Sequence, residues 1–244
     1  MAEIQVRALV EQDQLAEAVR LQQQIWGFQE LELIPVRLFV VATKIGGHAF
    51  GAYDGARMVG FALALPGLKT DGRSYLHSHM LGVLPNYRNA GVGRMLKLEQ
   101  RREAMARGIE LMEWTFDPLE LKNAYFNIER LGAIVRRYVF NQYGTTTSHL
   151  HGGLPTDRCV AEWWLASPRV EAILRGEVDW RPHIEGRVSL PATIGEMRAM
   201  EPLRARAVQR RIGDELTEGF RHGLAVIGLE RSAGAGTYLL GKWQ

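Results

Sequence analysis

Cysteine is almost absent from these 244 residues, with Cys159 standing alone. An internal disulfide is therefore excluded, and a reducing compartment fits. No apolar run approaches the roughly 20 residues of a membrane-spanning helix, and the N-terminal stretch lacks a basic-then-apolar signal pattern. The expectation is a cytoplasmic protein with no membrane partner. Excess charge of one sign is lacking too: 30 Lys and Arg against 27 Asp and Glu leave a net +3. The arginines sit in short pieces such as Arg101-Arg102 and Arg204 to Arg211. They form no aromatic-interleaved basic stripe, so no nucleic acid is expected. Metal-ligand spacing is missing as well, because neither His149-x-His151 nor His48 is placed as a third ligand beside another histidine pair, and no metal is expected. There is no internal repeat or low-complexity segment. With 46% hydrophobic and 23% charged residues, the chain can bury a real core.

What is present is an ordered series of periodic segments. Residues 4 to 9 alternate as a strand, and Asp13 reads as the cap of a helix ending near Trp26-Gly27. Pro35 opens a second helix to about Lys44. Residues 49–53 and 57–65 make a hairpin around Asp54-Gly55. A strand at 75–84, a helix closed by Gly108, a strand at 109–116, a helix at 119–131 and a strand at 133–140 follow. Residues 159–165 read as one more strand. Beyond Pro168 come a short helix (169–175), a Pro/Gly-broken stretch to Pro191, a long helix from about Glu196 to Phe220, and two strands at 224–230 and 237–242.

The chain is organised around His77-Ser-His79-Met-Leu-Gly-Val-Leu-Pro-Asn-Tyr-Arg88-Asn-Ala-Gly91-Val-Gly93-Arg94. A strand runs into a glycine loop, and the loop opens a helix. Gly91 and Gly93 permit backbone angles closed to other residues and, lacking Cβ atoms, let a phosphate approach the main chain. The first-turn N–H groups and the helix dipole then favour an anion, with Arg88 and Arg94 adding fixed charge. A Gly-x-Gly after a strand is a weak signal alone, equally explained as a turn, and it lacks the Lys-Ser/Thr of a Walker loop.

The longer segment is more specific. Arg88-Asn-Ala-Gly91-Val-Gly93, with its Val83-Leu-Pro85-x-Tyr87 approach, resembles the acyl-CoA-binding motif of the GNAT N-acyltransferase superfamily, and the likeness runs over about residues 4 to 144. It implies an α/β (α+β) GNAT fold: a central, mixed, mostly antiparallel twisted sheet flanked by helices. It implies a GNAT domain over 1–166 and a C-terminal extension over 167–244, made of helices and a β-hairpin packed on the core as a substrate lid or dimer surface. In that family the loop, here Arg88, Asn89, Ala90, Gly91, Val92, Gly93 and Arg94, binds the CoA pyrophosphate. The backbone of Leu81, Gly82 and Val83 pairs with pantetheine. The co-substrate would be acetyl-CoA or another short acyl-CoA.

Acyl transfer to an amine needs the amine uncharged. An alkylamine with a pKa of about 10 is only about one part in a thousand neutral at pH 7, a penalty near 4 kcal/mol. A base is therefore required, and His77 and His79, two apart on one strand, share a face. The family often places its general base there, and the His-x-His pair resembles the arylalkylamine N-acetyltransferase branch. Two strand histidines bonded to carbonyls are the alternative. Leu121 to Ala133 resembles the family helix that carries CoA contacts, at Asn123 and Asn127, and a general-acid tyrosine. That tyrosine is Ile128 here, so Tyr125 or Tyr138 is the substitute. Asp117 at a strand end could hold the substrate amine, or serve as a turn residue before proline. Arg136 and Arg137 should alternate faces, so one of them, Arg136, could meet a substrate carboxylate. Of Trp163 and Trp164, one should line the core and the other the substrate. The reading is an N-acetyltransferase acting on a small-molecule primary amine. A succinyl-CoA:amino-acid N-succinyltransferase and a catalytically weak acyl-CoA-binding regulatory module are the alternatives.

Overall fold

Asp54 and Gly55 close the hairpin that the sequence predicts, with Gly55 at φ +60°. It joins β2 (His48–Asp54) to β3 (Arg57–Leu68). The computed structural model describes residues 3–144, 153–177 and 183–243, so His149 and His151 lie outside the described residues. The chain forms two compact units, Met1–Glu113 and Trp114–Gln244.

In the first unit, β1 (Gln5–Ala8) pairs antiparallel with β2, and β4 (Ser74–Val83) with β3. β4 also pairs in parallel with the start of β5 (Leu111–Phe116), at Leu76↔Met112 and His77↔Glu113. The sheet is thus mixed and mostly antiparallel. Three helices cover it: α1 (Gln12–Trp26), α2 (Val36–Lys44) and α3 (Val92–Ala106). A Cβ on Gly82 would meet Trp26 of α1, whereas Gly93 of α3 faces Val83. Adjacent strand residues point oppositely, so α1 and α3 lie on opposite faces. That is why β2 and most of β3 are buried without alternation. Phe61, fully buried, meets Trp26 edge-on and Phe39 of α2, and replacing it with Ala should cost about 3–5 kcal/mol. Asp13 is not the cap of α1. Glu11 is extended and forms a capping box with Gln14, leaving Asp13 in the first turn.

In the second unit, α4 (Leu121–Tyr125) runs into a π-helical turn, Phe126–Arg130. β6 (Ile134–Val139) and β7 (Arg158–Trp164) pair antiparallel. Then come α5 (Pro168–Arg175), β8 (Gly186–Pro191), α6 (Ile194–Met200), α7 (Pro202–Arg221), β9 (Leu224–Arg231) and β10 (Ala235–Lys242). The strand order is β7-β6-β9-β10-β8, with β9 meeting β6 at Val135↔Val226. The hairpin expected near the end is β9–β10.

Two expectations are corrected here. The single helix from Glu196 to Phe220 is broken at Glu201 (φ −136°, ψ 61°), because a residue before proline is driven from the helical region and Pro202 starts a new helix. The stretch before Pro191 holds a strand, β8, paired along β10. Its buried Val188 and Leu190 alternate with exposed Arg187 and Ser189. Among the described residues, no helix is long and apolar enough to cross a membrane.

Candidate active site

Regular alternation along β4 would hold only if its pairing were regular. It is not: Leu63 pairs with Met80 and Ala64 with Ser78, leaving His79 as the extra residue of a β-bulge. The rings of His77 and His79 still come together, with centroids 5.9 Å apart. Burial lowers the pKa of His79 from its ordinary 6.5. At pH 7 the imidazole is therefore neutral and able to accept a proton.

Ser78, between them, turns into the core. It accepts from Lys97 Nζ at 2.8 Å and donates to Gln100 Oε1 at 2.9 Å. Lys97 is buried, and desolvation holds its pKa well below 10.5. In the same unit His48 Nδ1 lies 2.6 Å from Glu103 Oε2, and its pKa is lowered by burial although Glu103 pulls it up. Helical spacing alone hides this cluster, because Lys97 sits in the sequence between two ordinary leucines.

The loop after β4 is pinned to the scaffold. A short 3₁₀ turn, Pro85–Tyr87, places the Tyr87 hydroxyl to donate to Asp54 Oδ2 at 2.8 Å. Arg88 donates from Nε to Val83 O and from Nη2 to Ile25 O, at 3.3 and 3.4 Å, so its guanidinium ties the loop to β4 and α1. Asn89 (φ 63°) and Gly91 (φ 81°) both take the left-handed conformation. The glycine argument anticipated Gly91 but not Asn89, whose short polar side chain tolerates that region. Gly93 is an ordinary helical residue; a Cβ there would sit in normal contact, 3.5 Å from Leu81. Gly91 caps α3 without a side chain, and nothing lies within 4 Å of where its Cβ would be. A phosphate could therefore meet the main chain at a helix N-terminus, which fits a CoA pyrophosphate. Val92 buries its side chain in the core, leaving only its backbone to serve a ligand.

The second unit treats its candidates differently. Tyr138 donates to Asp157 Oδ2 at 2.8 Å, and burial, then the Asp157 charge, push its pKa far up. A phenol so reluctant to ionise is a poor general acid, and Tyr138 is set aside. Tyr125 remains exposed, with Arg231 over its ring. Asp117 is committed: Oδ1 accepts from Leu119 N and Oδ2 lies 3.0 Å from Arg198 Nη2. Its charge is already answered, so it is corrected to a turn-holding residue. The alternation of Arg136 and Arg137 also fails. A bulge between Val135 and Arg137 brings both guanidinium groups to Glu162, Arg136 Nε at 3.1 Å and Arg137 Nε at 3.9 Å from its oxygens. Asn123 is exposed, and Asn127 lies buried behind it with Nδ2 3.5 Å from Asn123 Oδ1. Trp163 is core, donating to Leu131 O, and Trp164, half-buried, packs with Ile134, Ala225 and Ile227. Among the described residues, no group of three or more His, Cys, Asp or Glu side chains could hold a metal ion.

The model of the acetyltransferase (GNAT) family matches residues 14–132, a span that contains β4, the bulge and the anion loop. Residues 14–132 are a GNAT acetyltransferase domain. The chain is accordingly an enzyme of the N-acyltransferase class. The fold is shared with the ribosomal-protein-S18-alanine N-acetyltransferase of Escherichia coli, at 18% identity and a TM-score of 0.54, covering 68% of this chain and 96% of that one. It is shared with Arabidopsis thaliana Naa50 in complex with the bisubstrate analogue CoA-Ac-MVNAL, at 16% identity, TM-score 0.52, and 65% and 97% coverage. Arabidopsis thaliana NAA60 in complex with a bisubstrate analogue is similar at 15% identity, TM-score 0.54, and 66% and 98% coverage. No curated protein matches the chain in sequence.

Proposed function

We propose that this GNAT enzyme transfers a short acyl group, most simply acetyl, from acyl-CoA to the primary amine of a small molecule. The observation that carries the reading is the open, side-chain-free N-terminus of α3 at Gly91, on the same strand–loop–helix unit as a half-buried, neutral His79. When bound, CoA supplies the activated thioester. The loop from Arg88 to Arg94 holds its pyrophosphate, and the backbone of Leu81 to Val83 lies along pantetheine. His79, with His77 beside it, accepts the proton the amine must lose before it attacks. A strand amide near Leu81 to Val83 donates to the oxygen on which charge develops. With Tyr138 withdrawn and Ile128 in the family's tyrosine position, the thiol leaves as thiolate, its pKa of about 8.5 needing little help, or with Tyr125 as donor.

Residues 1–166 are read as the acyltransferase domain and 167–244 as its extension, in a cytoplasmic protein. The succinyl alternative loses support because Arg136 already serves Glu162. A protein N-terminus is a second acceptor reading, favoured by the peptide bisubstrate analogue bound to Naa50. Thermal unfolding against CoA, acetyl-CoA, succinyl-CoA and longer thioesters tests the donor. A ligand at a hundred times its Kd adds roughly 2.7 kcal/mol, a shift of about 5–10 °C. No shift with any CoA would end the reading. Acetyl transfer to small amines but not to peptide N-termini would fix the acceptor class, and the converse would replace it.

A further inference from the structure

Ser78 sits between the two histidines of β4, and its side chain turns to α3. Its hydroxyl accepts from Lys97 Nζ at 2.8 Å and donates to Gln100 Oε1 at 2.9 Å, and all three residues are buried. Leu81, three residues further on, faces the same helix, since a Cβ on Gly93 would lie 3.5 Å from its Cδ2. In a regular strand, residues three apart face opposite sides. Here both face α3 because the pairing skips His79, with Leu63 on Met80 and Ala64 on Ser78. The same skip leaves the His79 ring beside that of His77, at 5.9 Å.

A regular register is the competitor. With Leu81 in place and no bulge, His79 would face α3 and Ser78 would face away. That register would take the Ser78 oxygen from Lys97, leave Gln100 Oε1 without its donor, and set an imidazole between them. Buried polar groups are costly to leave unmatched, so the Ser78 bonds favour the bulged register over the regular one. Further along α3, Glu103 holds His48, which stands in one row with Ala64 and Ser78 across the sheet. The helix is thereby held against sliding to relieve the mismatch. We infer that Ser78 is a positioning residue: bonded to Lys97 and Gln100, it locks the β4 bulge at position 79 and so fixes the His79 imidazole beside His77. The inference rests on the proposed role of His79 as the base. The titratable groups joined to this stretch are His77, Lys97 behind Ser78, and Glu113, which pairs with His77 from β5 and is bonded to Lys69.

An imidazole NMR titration of the full chain, followed at the His79 ring, tests the lock without an acceptor amine. The wild-type ring should titrate below 6.5. Ser78→Ala should move the midpoint up toward 6.5, as the loosened strand gives the ring more water. Ser78→Thr, which keeps the hydroxyl, should restore it. With an amine identified in the acceptor screen, Ser78→Ala should also lower kcat about tenfold or more at unchanged CoA affinity, because a slightly misplaced reacting group is costly. A merely structural Ser78 would lower the unfolding temperature yet leave the His79 midpoint and kcat unmoved well below that temperature, and this result overturns the inference. Should Ser78→Ala not fold, Gln100→Met, which removes the acceptor of the Ser78 hydroxyl, is read in the same way. Full turnover in His79→Ala would remove the base reading by itself, and the midpoint in Ser78→Ala would still decide whether the bulge is locked.

Discussion

Lys97 Nζ lies 2.8 Å from Ser78 Oγ inside the first unit, and Ser78 is the residue between the two histidines of the candidate site. The pair anchors α3 to β4 at the bulge, so the helix that offers its N-terminus to phosphate and the strand that offers the base are tied at one buried point. An amine this deep is costly to charge.

Stability should therefore depend on pH through Lys97. Unfolded, it titrates near 10.5; folded, burial holds it well lower. Between those values the unfolded chain binds the extra proton, so stability rises with pH, reaches its full value above the unfolded pKa and is lost as pH falls through the folded one. Lys97→Met should flatten this slope in urea unfolding between pH 6 and 10, with equal or greater stability at the low end. An unchanged slope would show that Lys97 is not its source.

The acid limb of kcat/KM should report His79. Because burial lowers its pKa from 6.5, activity should rise with a midpoint below that value and be level by pH 7. Removing the base should cost a hundredfold or more in kcat, within the range of about 10²–10⁴ for general-base catalysis, at unchanged CoA affinity. His77→Ala and His79→Ala, measured side by side, show which imidazole acts. Losses under about tenfold in both would remove the base from the strand.

Gly91 and Gly93 should respond differently to alanine. At φ +81°, Gly91→Ala should cost about 1–3 kcal/mol, a fall of several degrees in Tm. It should also weaken CoA, because the new methyl group projects into the space above the loop. Gly93→Ala should change Tm little, its Cβ meeting Leu81 at ordinary distance. Equal effects on Tm from both would contradict the loop conformation.

Tyr138→Phe separates chemistry from structure. The hydroxyl satisfies the buried Asp157, so its loss should destabilise by about 1–3 kcal/mol. Turnover at saturating acyl-CoA should stay within about twofold. A drop of a hundredfold with the Tm unchanged would restore Tyr138 as the acid.

The order of strands and helices through residue 140, the Asp54-Gly55 hairpin and the glycine loop were all legible in the sequence, because each is a local preference of the backbone. The break before Pro202 and the strand β8 were missed, although the pre-proline rule and the spacing of Val188 and Leu190 carried a signal for each. Which way side chains point was not legible. Bulges at His79 and beside Arg136 each insert one residue, and a strand's faces are defined only by the partner it pairs with. The same holds for charge. Asp117 looked available and proved paired with Arg198, 81 residues away, while Lys97, a charged residue between two leucines, proved buried. Periodicity reports what a segment prefers within a turn or a pleat. Only tertiary packing decides which distant cation or hydroxyl fills the space beside it, since burial makes an unanswered charge too costly to leave.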